Sequence, residues 1–430
     1  MVYNDIPNSV QKFMDDITKM CGEKHSDWAR NFNAAFANTL LTTVNRHEDG
    51  TTFLLTGDIP AMWLRDSTAQ VRPYLVVAKE DEDLAAMISG LVKKQFFYIN
   101  IDPYANAFNE EANGAGHQND HTEMNDWIWE RKYEIDSLAY PVQLAYLLYK
   151  NTGRTDQFNE DFVNGVEKIL HVFQVEQDHN QSAYHFVRDT SRKEDTLVND
   201  GRGVEVAPTG MTWSGFRPSD DACEGGGYLV PSNMFAVVIL GYLEEIFRTI
   251  LDDASIVAKA KQLREDIQAG IEKHGRTKNE AGEDVYAYEV DGLGNASLMD
   301  DSNVPNLISA PYLGYGSMND ERYLRTRQTL LSNENPYFYE GKFAKGIGSS
   351  HTPENYVWPI AMAMEGMTTD DKSEKERILN QLVATDAGTH LMHEGFHVDD
   401  PNQYTREWFS WANMMFCELV MDYFDIRVEK

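Results

Sequence analysis

The sequence predicts an all-α fold, a ring of helical hairpins closed into an α/α barrel, with short β-hairpins inserted in the loops. Long segments place apolar residues at three- and four-residue steps, the spacing of one helix face. These segments alternate along the chain with polar, glycine-rich loops of uneven length. No segment repeats another in sequence, which favours a barrel over a stacked solenoid, whose repeats resemble one another. About a dozen helices of ordinary length would complete the ring. No linker or low-complexity tract divides the chain, so residues 1–430 are expected to form a single domain.

Taken in order, segment 26–44 sets Trp28, Phe32, Phe36 and Leu40 on one face, and segment 82–99 sets Leu84, Met87, Leu91 and Phe96 likewise. Segments 134–151, 159–177, 232–251, 253–274, 353–366 and 404–425 read as helices by the same spacing. Pro141 lacks an N–H and crowds the carbonyl four residues back, so it is expected to kink or interrupt its helix. Thr155 and Ser232 stand as N-caps, because a side-chain oxygen there accepts from a free N–H of the first turn. TTFLLTG (51–57) and VYAYEVDG (285–292) read as strands of local hairpins.

Hydrophobic residues make up 42% of the chain, enough for a sizeable core, which excludes disordered and fibrous classes. The 69 acidic side chains outnumber the 38 basic ones, for a net charge of −31. That field repels phosphate backbones and anionic lipid, so neither nucleic acid nor a membrane is an expected partner; neutral sugars are compatible with it. The three cysteines, Cys21, Cys223 and Cys417, are odd in number and widely spaced, which suits neither a disulfide framework nor a metal motif. The first twenty residues lack a basic start followed by an apolar run, so no signal peptide is expected. No stretch approaches ~18 uninterrupted apolar residues, so no membrane span is expected either. A monomer in a reducing, cytoplasmic compartment is the expectation.

The loops carry unusual strings, among them GDIPAMWLRDSTAQVRPY (57–74), GMTWSGFRPSDDACEGGGYLVPSNMFA (210–236) and GIGSSHTPENYVWP (346–359). Such mixtures of Trp, Arg, Asp, Gly and Pro suit a shaped site on a rigid scaffold better than solvated turns. In a barrel, these loops converge at one end. His393-Glu394-Gly395-Phe396-His397 matches the H-E-x-x-H pattern of zinc peptidases. That chemistry needs both histidines one turn apart on a helix. Gly388, Gly395 and Pro401 disfavour a helix here, so a loop and no metal are expected.

Glycosidic bond cleavage needs one carboxylic acid to protonate the leaving oxygen and one carboxylate to activate water or attack carbon. Asp220-Asp221 follows an aromatic string, and adjacent carboxyls beside apolar groups have one pKa raised, as an acid catalyst requires. The ordinary reading has one aspartate capping and the other solvated. Arg65-Asp66 suits a fork for adjacent sugar hydroxyls or an interhelical salt bridge. Asp300-Asp301 with Asn303, and Glu130-Arg131, allow the same two readings, and the EF-hand spacing that would suggest calcium is missing. His351 suits a sugar hydroxyl or a helix cap.

Together GDIPAMWLRDS, ERKYEIDSL, GMTWSGFRPSDDA with YLVPSNMFA, MDDSNVPNL, GIGSSHTPENYVWP, and MHEGF with REWFSWANMMF resemble glycoside hydrolase family 125, the exo-acting α-1,6-mannosidases, over nearly the whole chain. Glu224 and Gly225 to Gly227 read as local variation. The resemblance implies an (α/α)6 barrel and metal-independent, cofactor-free hydrolysis with inversion, acting on terminal α-1,6-linked mannose of glycan fragments. It carries the general acid to Asp220, with adjacent Asp221 as the alternative, and the general base to Glu394. Arg65 and Asp66 would hold the terminal sugar, with Asp221, Asp301, Asn303 and His351 as further substrate contacts. Inversion expects the two carboxyls roughly 6.5–9.5 Å apart, whereas ~5 Å would indicate retention. The rival readings are the zinc peptidase, a non-catalytic glycan-binding barrel, and another α/α-barrel sugar enzyme such as an epimerase.

Overall fold

The computed structural model describes residue 3 and residues 5–430. Among these residues, α1 (Asn8–Cys21) leads into twelve helices that alternate between an outer and an inner ring. In chain order these are α2 (Ser26–Thr42), α3 (Leu64–Val71, prolonged by turns to Ala78), α4 (Glu82–Ile101), α5 (Ile135–Thr152), α6 (Glu160–Val175) and α7 (Val230–Thr249). There follow α8 (Ala254–His274), α9 (Ala310–Leu313), α10 (Glu321–Leu330), α11 (Pro359–Met367), α12 (Lys372–Ala384) and α13 (Ser410–Tyr423). The odd-numbered helices from α3 onward form the inner ring. Here α3 packs on α5, α5 on α7, and α7 on α9, while α13 packs on both α11 and α3. Arg72 at the end of α3 and Tyr312 of α9 both bond Glu418 of α13, tying three inner helices together.

The apolar stripes behave as their spacing predicts. Trp28, Phe32, Phe36 and Leu40 of α2, and Leu84, Met87, Leu91 and Phe96 of α4, are all buried in one continuous core. The inner helices differ, because they are enclosed on nearly every side. All eight residues of α3, LRDSTAQV, are buried although most are polar. Such a helix shows no one-sided stripe, so the spacing rule does not find it; α1, α9, α10 and α12 are likewise outside the predicted segments. α7 is long and apolar enough to cross a membrane by length and composition, but 72% of that window is buried within the barrel.

Several boundaries differ from expectation. α5 runs helically through Pro141 instead of breaking, held by burial of almost all its residues between α3 and α7. The cap of α6 is Asn159, which accepts from the Phe162 N–H; Thr155 belongs to the preceding turn. α7 starts at Val230 with Pro231 in its first turn, a position where a missing N–H costs nothing, and Ser232 lies inside the helix. α11 starts only at Pro359 and α13 only at Ser410. The residues before them pair as a three-stranded sheet of Tyr356–Val357, Gly395–His397 and Asp400–Thr405. The strand Thr52–Leu54 forms the expected hairpin with Val44–Arg46. The second strand segment divides: Asp284–Tyr286 pairs with Arg276–Lys278, and Glu289–Val290 with Tyr228–Leu229.

Candidate active site

A cavity of about 410 Å³ opens at the end of the barrel where the inner helices begin. Each inner helix sends one approach to it: Asp66 for α3, Lys132 for α5, Asp220 for α7, Asn303 for α9, His351 for α11 and Glu394 for α13. Helix N-termini carry free N–H groups and the positive end of the helix dipole, so this end of the barrel favours negative charge. Two small sheets hold the approaches in place. Met62–Trp63, Ala107–Phe108 and Ile128–Glu130 register those of α3 and α5, and the sheet containing Gly395–His397 registers those of α11 and α13.

One guanidinium organises the acidic side. Arg65 Nη1 donates to Glu134 Oε2 at 2.6 Å and to Asp136 Oδ2 at 3.2 Å, and Nη2 donates to Asp220 Oδ1 at 3.0 Å. Its Nε lies 3.3 Å from Asp66 Oδ1, and its plane sits 5.5 Å over the Trp411 ring. Arg65 and Asp66 both line the cavity, but the arginine fork is spent on carboxyls from three segments, the interhelical reading of the pair. Asp66 Oδ1 accepts no hydrogen bond from the protein. Burial pushes the Asp66 carboxyl up to about 6, with Arg65 opposing it only in part.

Asp220 occupies a strained turn with φ 65°, closed by Arg217 N–H to Asp221 O at 2.7 Å and by Lys132 Nζ to the Asp220 carbonyl at 2.7 Å. A left-handed aspartate costs on the order of 1–3 kcal/mol, and such strain clusters at functional sites. Burial raises the Asp220 carboxyl, but Arg65, the hydrogen bond with Glu134, Lys132 and His351 together hold it below the usual carboxylate range. Glu134 shows the reverse: burial, countered only partly by Arg65, holds it well above that range.

Asp221 is fully buried and does not line the cavity, which corrects its expected place against substrate. It accepts from Ser350 Oγ and bonds His351 Nδ1 at 2.9 Å. His351 does line the cavity. Burial disfavours its charged form, but the hydrogen bond and charge of Asp221 outweigh that and raise it to about 9. Asp301 is also buried away from the cavity; it accepts from Ser349 Oγ at 2.7 Å and from Asn303 Nδ2 at 2.9 Å, so it positions Asn303 rather than contacting a ligand. Asp300 caps the Leu307 and Ile308 N–H groups.

Glu394 lines the same cavity, 3.7 Å from Arg406 Nη1, and Arg406 is braced by Asp58. The H-E-x-x-H motif is neither helix nor the expected loop throughout: Gly395–His397 is a strand. His393 stacks on Tyr404 at 3.8 Å and its Nδ1 lies 3.2 Å from the Glu407 carbonyl, while His397 Nδ1 accepts from the Asp399 N–H. The helical face a zinc peptidase requires does not exist here.

Glu134, Asp136, Asn106, Lys132, Arg406 and Trp411 escaped sequence reasoning. All but Asn106 lie in the strings ERKYEIDSL and REWFSWANMMF that carried the resemblance, where Glu134 and Asp136 form a carboxylate pair at the start of a helix. Gly227 is a requirement rather than local variation: with φ 79°, a Cβ there would come within 2.0 Å of Trp213 Nε1.

A barrel of paired helices whose end cavity gathers carboxyl groups amid arginine, histidine and tryptophan has the make-up of the (α/α)6 glycoside hydrolases. The chain belongs to glycoside hydrolase family 125, the metal-independent α-mannosidases, whose sequence profile matches residues 25–421. It is 60% identical to a Streptococcus pneumoniae metal-independent α-mannosidase solved in a non-productive complex with α-1,6-mannobiose, with TM-score 0.97, covering 99% of this chain and 100% of that one. It is 37% identical to the meiotically up-regulated gene 157 protein of Schizosaccharomyces pombe, over 96% of this chain and 85% of that protein. A wild-type glycosidase of known structure shares the fold alone, at 9% identity and TM-score 0.54 over 98% of this chain and 99% of that one.

Proposed function

We propose that this α-mannosidase is exo-acting and inverting and releases terminal α-1,6-linked mannose from glycan fragments, with Asp220 as general acid and Glu394 as general base. The observation that carries the reading is that these two carboxyls, from the approaches to α7 and α13, face one cavity, each paired with its own arginine. The mannobiose bound by the Streptococcus pneumoniae relative supports the linkage.

Asp220 protonates the departing glycosidic oxygen while Glu394, beside Arg406, takes a proton from water attacking the anomeric carbon from the other face. Asp66, whose carboxyl lines the cavity beside Arg65, takes a sugar hydroxyl. The reading carries with it a monomer in a reducing, cytoplasmic compartment, which the three unpaired, buried cysteines support.

Proton NMR of α-1,6-mannobiose with the enzyme tests the reading by the first-formed anomer. Initial β-mannose is expected. Initial α-mannose would refute inversion, and no release would refute the substrate. Glu394→Gln is expected to lower turnover by about 10²–10⁴-fold while binding persists, and normal hydrolysis by this variant would refute the base assignment.

A further inference from the structure

A general acid must start protonated, yet Asp220 has the Arg65 guanidinium at 3.0 Å, the Lys132 ammonium on its carbonyl and the His351 ring nearby. Four carboxyl groups, those of Asp66, Glu134, Asp136 and Asp220, converge on that one guanidinium. So dense a buried cluster does not ionise completely; some of it keeps protons, and the groups titrate as a set.

Geometry selects the member. Arg65 donates to Glu134 and Asp220 with its two terminal nitrogens, and Asn106 Nδ2 lies 3.4 Å from Glu134 Oε1 and 3.4 Å from Asp220 Oδ1. Asn106 Nδ2 also donates to Glu130 Oε1 at 3.0 Å, so both the guanidinium and the amide gather the Glu134 and Asp220 carboxyls side by side. Two carboxyls held against the same donors share a proton rather than both ionise. Glu134 Oε2 is taken by Arg65 and by Ser137 Oγ at 2.8 Å, which leaves Oε1 to carry it. The Glu134 side chain is 0% exposed, whereas that of Asp220 is 21% exposed toward the cavity. A proton on Glu134 therefore leads to the substrate only through Asp220.

We propose that Glu134 is the proton store of the acid catalyst: its carboxyl holds the proton that Asp220 delivers and passes it to the Asp220 carboxyl. The inference rests on Asp220 being the acid. The proton of Glu134 moves onto Asp220, which delivers it to the glycosidic oxygen as the C1–O bond breaks and its electron pair goes to that oxygen, leaving both carboxyls ionised. Water adds to C1 and gives its proton to Glu394. After product leaves, Glu394 releases that proton to solvent, and Glu134 regains one from solvent through Asp220. Glu134 touches no substrate, so it is a positioning residue.

The test compares Glu134→Gln and Asp220→Asn on two substrates, α-1,6-mannobiose and α-mannosyl fluoride, whose fluoride departs without protonation. Glu134→Gln keeps an acceptor for Arg65 and Ser137 but cannot supply the proton. Both variants are expected to lose about 10²-fold or more on the mannobiose and to keep most activity on the fluoride, which also proves folding. Equal loss by Glu134→Gln on both substrates, or no loss on either, overturns the proposal while leaving Asp220 as acid. If Asp220→Asn itself fails to spare the fluoride, the acid assignment falls and the store with it. Carbon NMR of wild-type protein labelled at glutamate carboxyls needs no variant to fold for its first reading. One resonance sensitive to Asp220→Asn is expected to stay at its protonated position through neutral pH, and ionisation of all glutamates below pH ~6 overturns the proposal.

Discussion

Asp66→Asn is expected to make the protein more stable while removing its activity. The carboxyl is 3% exposed, its Oδ1 has no hydrogen-bond donor, and its one ion pair, with Arg65 Nε, does not offset its burial. The group sits at about 6 against an ordinary 3.8. Between those values the native state keeps a proton that the unfolded chain has released, so stability falls as pH rises from 3.8 to about 6 and stays lowered above that. About two pK units at 1.36 kcal/mol each set an upper bound near ~3 kcal/mol, and 1–3 kcal/mol is the working estimate. Unfolding entropy of about 2.1 cal/mol/K per residue makes 1 kcal/mol worth roughly 1 °C in a chain of this length. The variant should therefore melt about 1–3 °C above wild type at pH 8, with the difference fading toward pH 4. Thermal scans across pH read this directly, and turnover on α-1,6-mannobiose gives the functional side. A variant less stable at pH 8, or a gain that is the same at every pH, would refute the reasoning.

His351, held protonated up to about 9 by Asp221, adds stability that is fully present below its unfolded value of 6.5 and is lost as pH rises through 9. His351→Gln should remove on the order of 2–3 kcal/mol at neutral pH and flatten the alkaline decline seen in melting scans; an unchanged decline would count against the pair. Gly227→Ala should cost about 2–4 kcal/mol through its left-handed backbone and the overlap with Trp213, read as a lower melting temperature. His397→Gln should keep most turnover, and a chelator should have no effect, whereas a zinc site through His393 and His397 would lose everything in both experiments.

The sequence by itself determined four outer helices (α2, α4, α6 and α8), four inner ones (α5, α7, α11 and α13) and the family. Trp28, Phe32, Phe36 and Leu40 form a stripe because α2 has one wet face and one dry face, and a one-sided environment writes itself into spacing. Long loop strings with Asp220 and Glu394 in fixed surroundings carried the resemblance, and both residues line the cavity. The inner helices α3 and α9 wrote no such pattern. α3 is polar and wholly buried, its polar groups satisfied by neighbours distant in sequence, and α5 bridges Pro141 because packing outweighs the local penalty. The roles of the acidic residues were decided only by tertiary contact. Asp221 and Asp301 look as reactive in sequence as Asp220, yet the fold turns them inward to hold His351 and Asn303. Glu134 lies 86 positions before Asp220, and only packing of the inner helices brings the two carboxyls onto one guanidinium. Burial and charge at that meeting point, which no linear pattern encodes, set where each proton resides.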